Sequence, residues 1–342
     1  MDTSRYHRQE LLPQVGKTGQ ARLARGRVLL VGCGALGGTI AEQLVRAGVG
    51  FLRVVDRDVV EWTNLQRQVL FEESDAREAA PKAVAAKQRL ARINSTVAVD
   101  ALVADVHSGN IESLAEGVVL ILDGTDNVET RYLLNDVAVK LGMPWVYGAC
   151  VGTEGRVMPV IPGRTACLRC VFPEPPAGSD LPTCDTAGVL GPVAAVVGAM
   201  QAVEAIRLLV GDREGARPAL WSADLWTGRS RVLTTERQPD CPACGQRLFD
   251  FLSRPPGQST TLCGRRSVQV RPAGGDVRLD LAAAARKLAA AGEVQQTPYL
   301  VRCRLAGEPP RELTVFADGR MIVTGSTDRD NARSLYARYV GA

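Results

Sequence analysis

Residues 28–68, VLLVGCGALGGTIAEQLVRAGVGFLRVVDRDVVEWTNLQRQ, constrain this chain more than any other stretch. Residues 28–31 are a short apolar run of the kind that forms a fully buried strand. Gly32, Gly34 and Gly37 follow as G-x-G-x-x-G and lead into an amphipathic run over residues 39–47. A second apolar strand, residues 51–55, ends on Asp56. Strand, glycine loop, helix, strand and acid form the order of a nucleotide-binding unit. Glycines let the backbone approach phosphate, the helix N-terminus faces negative charge, and the acid can hold ribose hydroxyls. Asn64, Arg67 and Gln68 then follow within twelve residues of Asp56. An extra cluster of amide and guanidinium groups therefore lies beyond the ribose position.

The rest of the chain narrows the class. At 342 residues it is long enough for a large domain and a small one. A net charge of +4, with no concentrated basic and aromatic patch, gives no reason to expect a nucleic-acid partner. The N-terminus, MDTSRYHRQELL, is polar and has no signal-peptide core. No apolar run approaches the roughly 18 residues of a membrane span. The longest weakly polar stretch, residues 188–202, is rich in Gly and Ala, holds Pro192, and reads as a buried helix. The expected location is the cytoplasm. Nine cysteines there are metal ligands, a reactive thiol and buried spectators rather than disulfides.

Further along, residues 75–93 read as a helix with Pro81 in its first turn. Lys82 then lies near the strand edge where a nucleotide would bind. Residues 96–102 are a strand candidate. Residues 118–122 are strongly apolar and run into DGTDN, so Asp123 and Asp126 emerge at the carboxyl end of a buried parallel strand. Acids there can hold a metal beside phosphate. Asp126 or Asn127 could equally cap the helix VETRYLLNDVAVKLG. The next strand is 145–149, and residues 150–162 read as a strand pair leaving the first sheet.

Two C-x-x-C pairs follow, Cys167 with Cys170 and Cys241 with Cys244. Each short turn directs two sulfurs at one ion, which suits a tetrahedral zinc site; a redox role is the lesser alternative. Cys184, in LPTCDTAGVLGP, precedes a helix whose field would favour its thiolate, and an inert loop cysteine is the other reading. Arg5 and Arg8, in RYHRQ, suit a solvated basic face as well as a functional role. Residues 249–262 read as a Pro/Ser/Gly/Gln-bearing linker. The remainder reads as strand 267–270, helix 279–290, strands 299–303, 312–316 and 321–324, and helix 329–340, a small α+β unit. The run CGRRS from Cys263 loosely matches a sulfurtransferase loop, but a strand follows at once, so no sulfur-carrying role is expected of it.

In their order, RYHRQ, GCGALGG, DRDVVEWTNLQRQ, PKA, DGTDN, CLRC, TCDTAGVLGP and CPAC resemble the ThiF/MoeB/HesA family, bacterial relatives of ubiquitin-activating enzymes, over roughly residues 4–248. The fold expected is α/β, a Rossmann-like, doubly wound, mostly parallel sheet with a zinc-stapled continuation. The expected division is an adenylation domain at 1–248, a linker at 249–262 and the α+β unit at 263–342. The resemblance implies that ATP and magnesium are used to activate the C-terminal Gly-Gly carboxylate of a small ubiquitin-like sulfur-carrier protein of the ThiS/MoaD type. The carboxylate attacks the α-phosphate, pyrophosphate leaves, and an acyl-adenylate remains for sulfur transfer.

On the matching positions, Gly32, Gly34 and Gly37 would cradle the nucleotide and Asp56 would hold its ribose. Asn64, Arg67 and Lys82 would bind phosphates, with Asp58 and Gln68 completing the nucleotide-binding set. Asp126, with Asp123, would organise magnesium. Arg8 would reach the neighbouring subunit's site, implying a homodimer. Cys184 matches a cysteine that some members use covalently and others do not need. Cys33 and Ala35 stand where family members often have Gly, and the C-terminal unit lies outside the family core. It does not look like a rhodanese domain, so any sulfurtransferase would be separate. The alternatives are adenylation of a small molecule or modified tRNA base, an NAD-dependent oxidoreductase, and a non-catalytic scaffold. Asn64, Arg67 and Lys82 exceed what a nicotinamide site needs, and a lapsed enzyme would not be expected to keep Arg8, Arg67, Lys82 and Asp126.

Overall fold

The apolar run of residues 28–31 is the core of strand β1 (Arg27–Val31), and the remaining strands of the first unit assemble around it. The computed structural model describes residues 5–176, 186–212, 219–255, 259–262, 267–272, 278–307 and 310–341. Strands β2 (Phe51–Asp56), β3 (Ala98–Val103), β4 (Leu120–Asp123) and β5 (Trp145–Val151) run parallel to β1. Strands β6 (Glu154–Val160), β7 (Ala219–Asp224) and β8 (Arg229–Thr234) extend the same sheet antiparallel, in the order β3-β2-β1-β4-β5-β6-β7-β8.

Both faces of the parallel half are covered, as its unbroken apolar strands require. Val28, Leu30, Val54 and Leu122 pack against helices Ala35–Ala47, Lys82–Ile93 and Gly191–Val210. Leu29, Val31, Val55 and Ile121 pack on the other side with helix Val128–Leu141 and the segments around Leu168 and Phe251. The strand order reverses between β1 and β4, which opens a crevice at their carboxyl ends.

Helix Gly191–Val210 is long and apolar enough to cross a membrane. It packs instead on β5, β6 and helix Ala35–Ala47, and Gly198 lets it come close: a Cβ there would sit 2.9 Å from the Leu36 carbonyl oxygen.

Three local expectations change. Residues 75–93 form two helices, Glu73–Arg77 and Lys82–Ile93. Pro81 caps the second instead of lying inside it, because it lacks an N–H and disfavours helical backbone in Ala80. Residues 150–162 do not leave the sheet: β5 turns at Gly152 and returns as β6 beside itself. Strands β7 and β8 were not anticipated; every residue of β8 is exposed, so it lacks the apolar alternation of a half-buried strand.

The chain divides into two compact units, Met1–Pro255 and Pro256–Ala342. The second is an antiparallel sheet of β9 (Ser259–Leu262), β10 (Ser267–Val270), β11 (Gly292–Gln296), β12 (Leu300–Leu305), β13 (Arg311–Phe316) and β14 (Met321–Thr324), ordered β11-β12-β13-β14-β10-β9. Helices Leu281–Leu288 and Arg329–Tyr339 are N-capped by the side chains of Asp280 and Asp328. Val268, Val301, Leu313, Val315 and Val323 form its own core. β9 falls where a linker was expected, and β11, sequence GEVQQ, carries too little apolar pattern to be read.

Candidate functional site

The glycine loop between β1 and helix Ala35–Ala47 contains two kinds of glycine. Gly32 has φ +85°, and a Cβ there would lie 2.7 Å from the Gly124 carbonyl oxygen; a Cβ on Gly37 would collide with the Gly32 carbonyl. These two are required by the packing of the loop against the end of β4. Gly34 is different: a Cβ there would meet nothing nearer than Gln68 Nε2 at 3.6 Å. Gly34 is also the N-cap of the helix, and no side chain caps it. The first-turn amides and the positive end of the helix dipole make this an anion site with room beside it.

Asp56 ties this loop to the end of β2. Its buried carboxylate accepts from the Cys33 N–H at 2.6 Å and the Asp58 N–H at 2.7 Å. Burial raises its pKa, and the nearby Lys82 ammonium opposes that. Lys82 is itself buried at the start of its helix and pairs with Asp58 at 3.2 Å. Arg57 pairs with Asp105 at 3.1 Å. Burial works against its charge, but Asp105, Asp58, Asp126 and Asp56 outweigh that and hold its pKa above the usual range.

The NLQRQ run folds over the loop. Asn64 ends a short turn, Trp62–Asn64, where its Oδ1 accepts from the Glu61 N–H at 3.1 Å. Gln68 is buried, and its Oε1 has no partner among the described residues. Arg67 is half-buried and donates to the Thr63 carbonyl at 2.7 Å. A Cβ on Gly191, the first residue of the long helix, would lie 3.1 Å from the Gln66 carbonyl oxygen and 3.4 Å from Arg67 Cβ.

At the end of β4 the acids divide their work. Asp123 is fully buried; Oδ1 accepts from the Thr125 N–H at 2.9 Å and hydroxyl at 2.8 Å, and Oδ2 from Arg131 Nε at 3.2 Å. Burial raises its carboxyl pKa, and Arg131 and Thr125 counter this. Both carboxylate oxygens of Asp123 thus accept from protein donors. The cap of helix Val128–Leu141 is Asn127, whose Oδ1 accepts from the Thr130 N–H at 2.9 Å. Asp126 is left exposed.

Arg57 and Arg131 were not singled out from sequence. For Arg131 a signal existed: a cation within the first four residues of a helix opposes the dipole and calls for a nearby acid.

The crevice therefore gathers Gly32, Gly34, Gly37, Asp56, Asp58, Asn64, Arg67, Gln68, Lys82, Asp123 and Asp126. Arg8 lies elsewhere. It is exposed on the short helix His7–Glu10, whose neighbour Tyr6 accepts from Asn94 at 2.8 Å and whose Gln9 donates to the Ala47 carbonyl at 3.2 Å. Asn94 and Ala47 end their helices, so Arg8 is about 20 Å, the length of helix Ala35–Ala47, from the glycine loop. Cys184 and Cys263 lie outside the described residues.

A second cluster lies on the face carrying helix Val128–Leu141, whose Asn135 Oδ1 accepts from the Leu168 N–H at 2.8 Å. The sulfurs of Cys167, Cys170, Cys241 and Cys244 all lie within 4.8 Å of one another. Three pairs are at 3.8, 3.6 and 3.4 Å. A tetrahedral zinc with bonds of about 2.3 Å spaces its sulfurs about 3.8 Å apart, so this set fits that ion. The Gln238 N–H points at Cys170 Sγ at 3.4 Å, and the Gly245 and Gln246 amides both donate to the Cys241 carbonyl at 2.9 Å. These bonds hold the sulfur ligands from behind.

Comparison with known proteins adds to the geometry. The ThiF family matches residues 6–243. The sulfur carrier protein ThiS adenylyltransferase of Bacillus subtilis is 44% identical over 343 residues, covering 99% of this chain and 100% of its own length. The sulfur carrier protein adenylyltransferase of Thermus thermophilus is 43% identical over 249 residues, 71% of this chain and 91% of its own. Among solved structures, E. coli MccB with ATP shares the fold at a TM-score of 0.62 and 21% identity, over 71% of this chain and 75% of MccB. With the family matched across the whole sheet and crevice, and one relative matched end to end, this chain belongs to the ThiF family.

Proposed function

We propose that this protein adenylates the C-terminal Gly-Gly carboxylate of a small ubiquitin-like sulfur carrier, releasing pyrophosphate and priming the carrier for sulfur transfer. The observation that carries the reading is the convergence of an uncapped helix start, a buried lysine and an exposed acid at one crevice. It occurs in a chain that matches a ThiS adenylyltransferase end to end. ATP fits this crevice: Gly34 leaves space on its Cβ side, and the buried Gln68 Oε1 lacks a partner among the described residues.

Gly32, Gly34 and Gly37 form the cradle. Asp56 keeps lone pairs for the ribose hydroxyls beyond its two backbone bonds. Asn64, Arg67 and Lys82 take the phosphates. The triphosphate competes with Asp58 for Lys82, so Asp58 holds the ammonium in place before the nucleotide arrives. Asp126 is the acid available to a magnesium ion; Asp123 positions the loop and binds no ligand directly. Magnesium would supply charge neutralisation as the pyrophosphate departs. Arg8, remote from its own crevice, serves a second subunit's site, which makes the working form a homodimer. Zinc in the four-cysteine cluster would staple residues 167–170 to 241–244, a structural part. The sulfurtransferase is a separate protein, and the reaction takes place in the cytoplasm.

The test is ATP–pyrophosphate exchange in the presence of a ThiS-type carrier. Exchange that requires the Gly-Gly tail supports the reading. Exchange seen only with tRNA would move the assignment to the branch that acts on a modified base, and NADH binding without ATP affinity would remove both.

A further inference from the structure

Behind the crevice lies a buried polar side chain that the proposed nucleotide chemistry does not use. Gln201, at the middle of helix Gly191–Val210, is completely buried. Its Nε2 donates to the Asp123 carbonyl at 2.7 Å and to the Val146 carbonyl at 3.2 Å. Strands β4 and β5 pair only at Ile121 with Trp145 and Leu122 with Val146. Beyond that, β4 ends at Asp123 while β5 continues to Val151 alongside β6, so the Gln201 amide bridges the two strands where their pairing stops. Room is reserved for it: a Cβ on Gly148 would collide with the Gln201 amide. Its Oε1 is buried and has no partner among the described residues. An apolar side chain would fill this space without an orphaned acceptor, so packing alone does not account for an amide here.

What the amide holds is the root of the 124–127 loop. Asp123 passes the constraint on through Thr125 and Arg131, and Arg131 closes it on the Thr125 carbonyl at 2.7 Å. Asp126 is the next residue. The same helix meets the other walls of the crevice, with Gly198 against Leu36 and Thr39 and Gly191 against Gln66 and Arg67. Its N-terminal approach is tied to the β5–β6 turn by Gly152 N–H to Gly188 at 2.8 Å and Leu190 N–H to Gly152 at 2.9 Å.

We infer that Gln201 is a positioning residue. It sets the 124–127 loop, and with it Asp126, against a helix that also abuts the glycine-loop helix and the Arg67 segment. This rests on the adenylation reading, with Asp126 as the magnesium acid. Gln201→Met keeps the length of the side chain and removes the donor, while Gly148→Ala displaces the amide from the sheet side.

In the full-length protein without nucleotide, either change should speed hydrogen exchange at the amides of 124–127 by about tenfold. The magnesium concentration that half-saturates ATP binding, read by calorimetry, should rise. Carrier-dependent exchange should lose about 10- to 100-fold in kcat with little change in the ATP KM, the size expected of a misplacement of about 1 Å. A folded Gln201→Met protein with parental hydrogen exchange and magnesium dependence would overturn the inference, as would a folded Gly148→Ala protein with both unchanged if the first variant fails to fold. If the parent shows no exchange with a ThiS-type carrier, the adenylation reading fails, while hydrogen exchange and magnesium titration still judge Gln201.

Discussion

The crevice and the four-cysteine cluster are built on opposite plans. In the cluster every sulfur faces three others within 4.8 Å, and backbone amides brace the turns from behind. Four cysteines fill a tetrahedral set, three of them buried and Cys170 half-buried, which is the form of a structural metal site. In the crevice the groups are braced from behind and open in front. Asp56 is held by two amides, Gly34 has free space, the helix start lacks a cap, and Asp126 is exposed. The closed region should govern stability and the open one should govern turnover, so substitutions in the two should separate cleanly.

The sharpest break would come from the cluster. Cys241→Ala should release the metal, taking a fully loaded chain from about one zinc to well below it. Because metal-binding energy in such a site is folding energy, the first unit should lose about 5 kcal/mol or more. Metal analysis and thermal unfolding check this, and full zinc retention at parental stability would remove the structural role. Arg67→Ala should do the reverse. Among the described residues its guanidinium donates to the Thr63 carbonyl, a local bond four residues back. Melting should barely move, while carrier-dependent exchange falls about 10²- to 10³-fold, the loss typical of a removed electrostatic contact in a transition state. Comparable losses of stability in both variants would collapse the distinction between the regions.

The two regions also differ in how far they could be read from sequence. The cysteine pairs announced themselves by spacing. The parallel half of the sheet was legible because buried parallel strands are continuous apolar runs, whereas β8, exposed along all six residues, and the Gln-rich β11 carry no such mark. In the crevice the residue types were legible and their division of labour was not. Asp123 ends β4 and Asp126 follows three residues on, and only the approach of Arg131 and Thr125 shows that the first is enclosed. Gln201 contacts a carbonyl 78 residues away, a relation no local pattern encodes. Lys82 was legible by its position after Pro81, but its pairing with Asp58 depends on the bridge between Val59 and Pro81.

The glycine loop allows the same separation within a few residues. Gly37→Ala places a methyl against the Gly32 carbonyl, so it should destabilise the first unit by about 2–3 kcal/mol, as overpacking does. Gly34→Ala meets nothing closer than 3.6 Å in the protein and should fold normally. In the proposed adenylation site its methyl would occupy the side given to phosphate, so ATP affinity should fall about tenfold or more, a loss of roughly 1.4 kcal/mol. Calorimetry on both variants decides the matter: equal loss of stability would show that Gly34 belongs to packing, like Gly37.

The smallest effect concerns a charge in the apolar layer beneath the cluster. Asp136 is fully buried, accepts from the Phe251 N–H at 2.9 Å through Oδ2, and has no partner for Oδ1 among the described residues. Burial pushes its carboxyl up to about 6 from 3.8, against the opposing pull of the Phe251 amide and Arg169. The native state therefore binds a proton more tightly than the unfolded chain between those two values. Stability from this group is full at low pH, declines as pH rises through the window, and is lost above it. Asp136→Asn keeps an acceptor for Phe251 and abolishes that slope. Relative to the parent it should gain about 1–2 kcal/mol at pH 8 and little or nothing at pH 4, measured by denaturant unfolding at matched zinc content. Taking the difference between the two proteins cancels the pH dependence of the thiolate ligands, which they share. A variant no more stable than the parent at pH 8 would mean that Asp136 is charged at neutral pH and adequately paired, with Arg169 the nearest cation to supply that pairing.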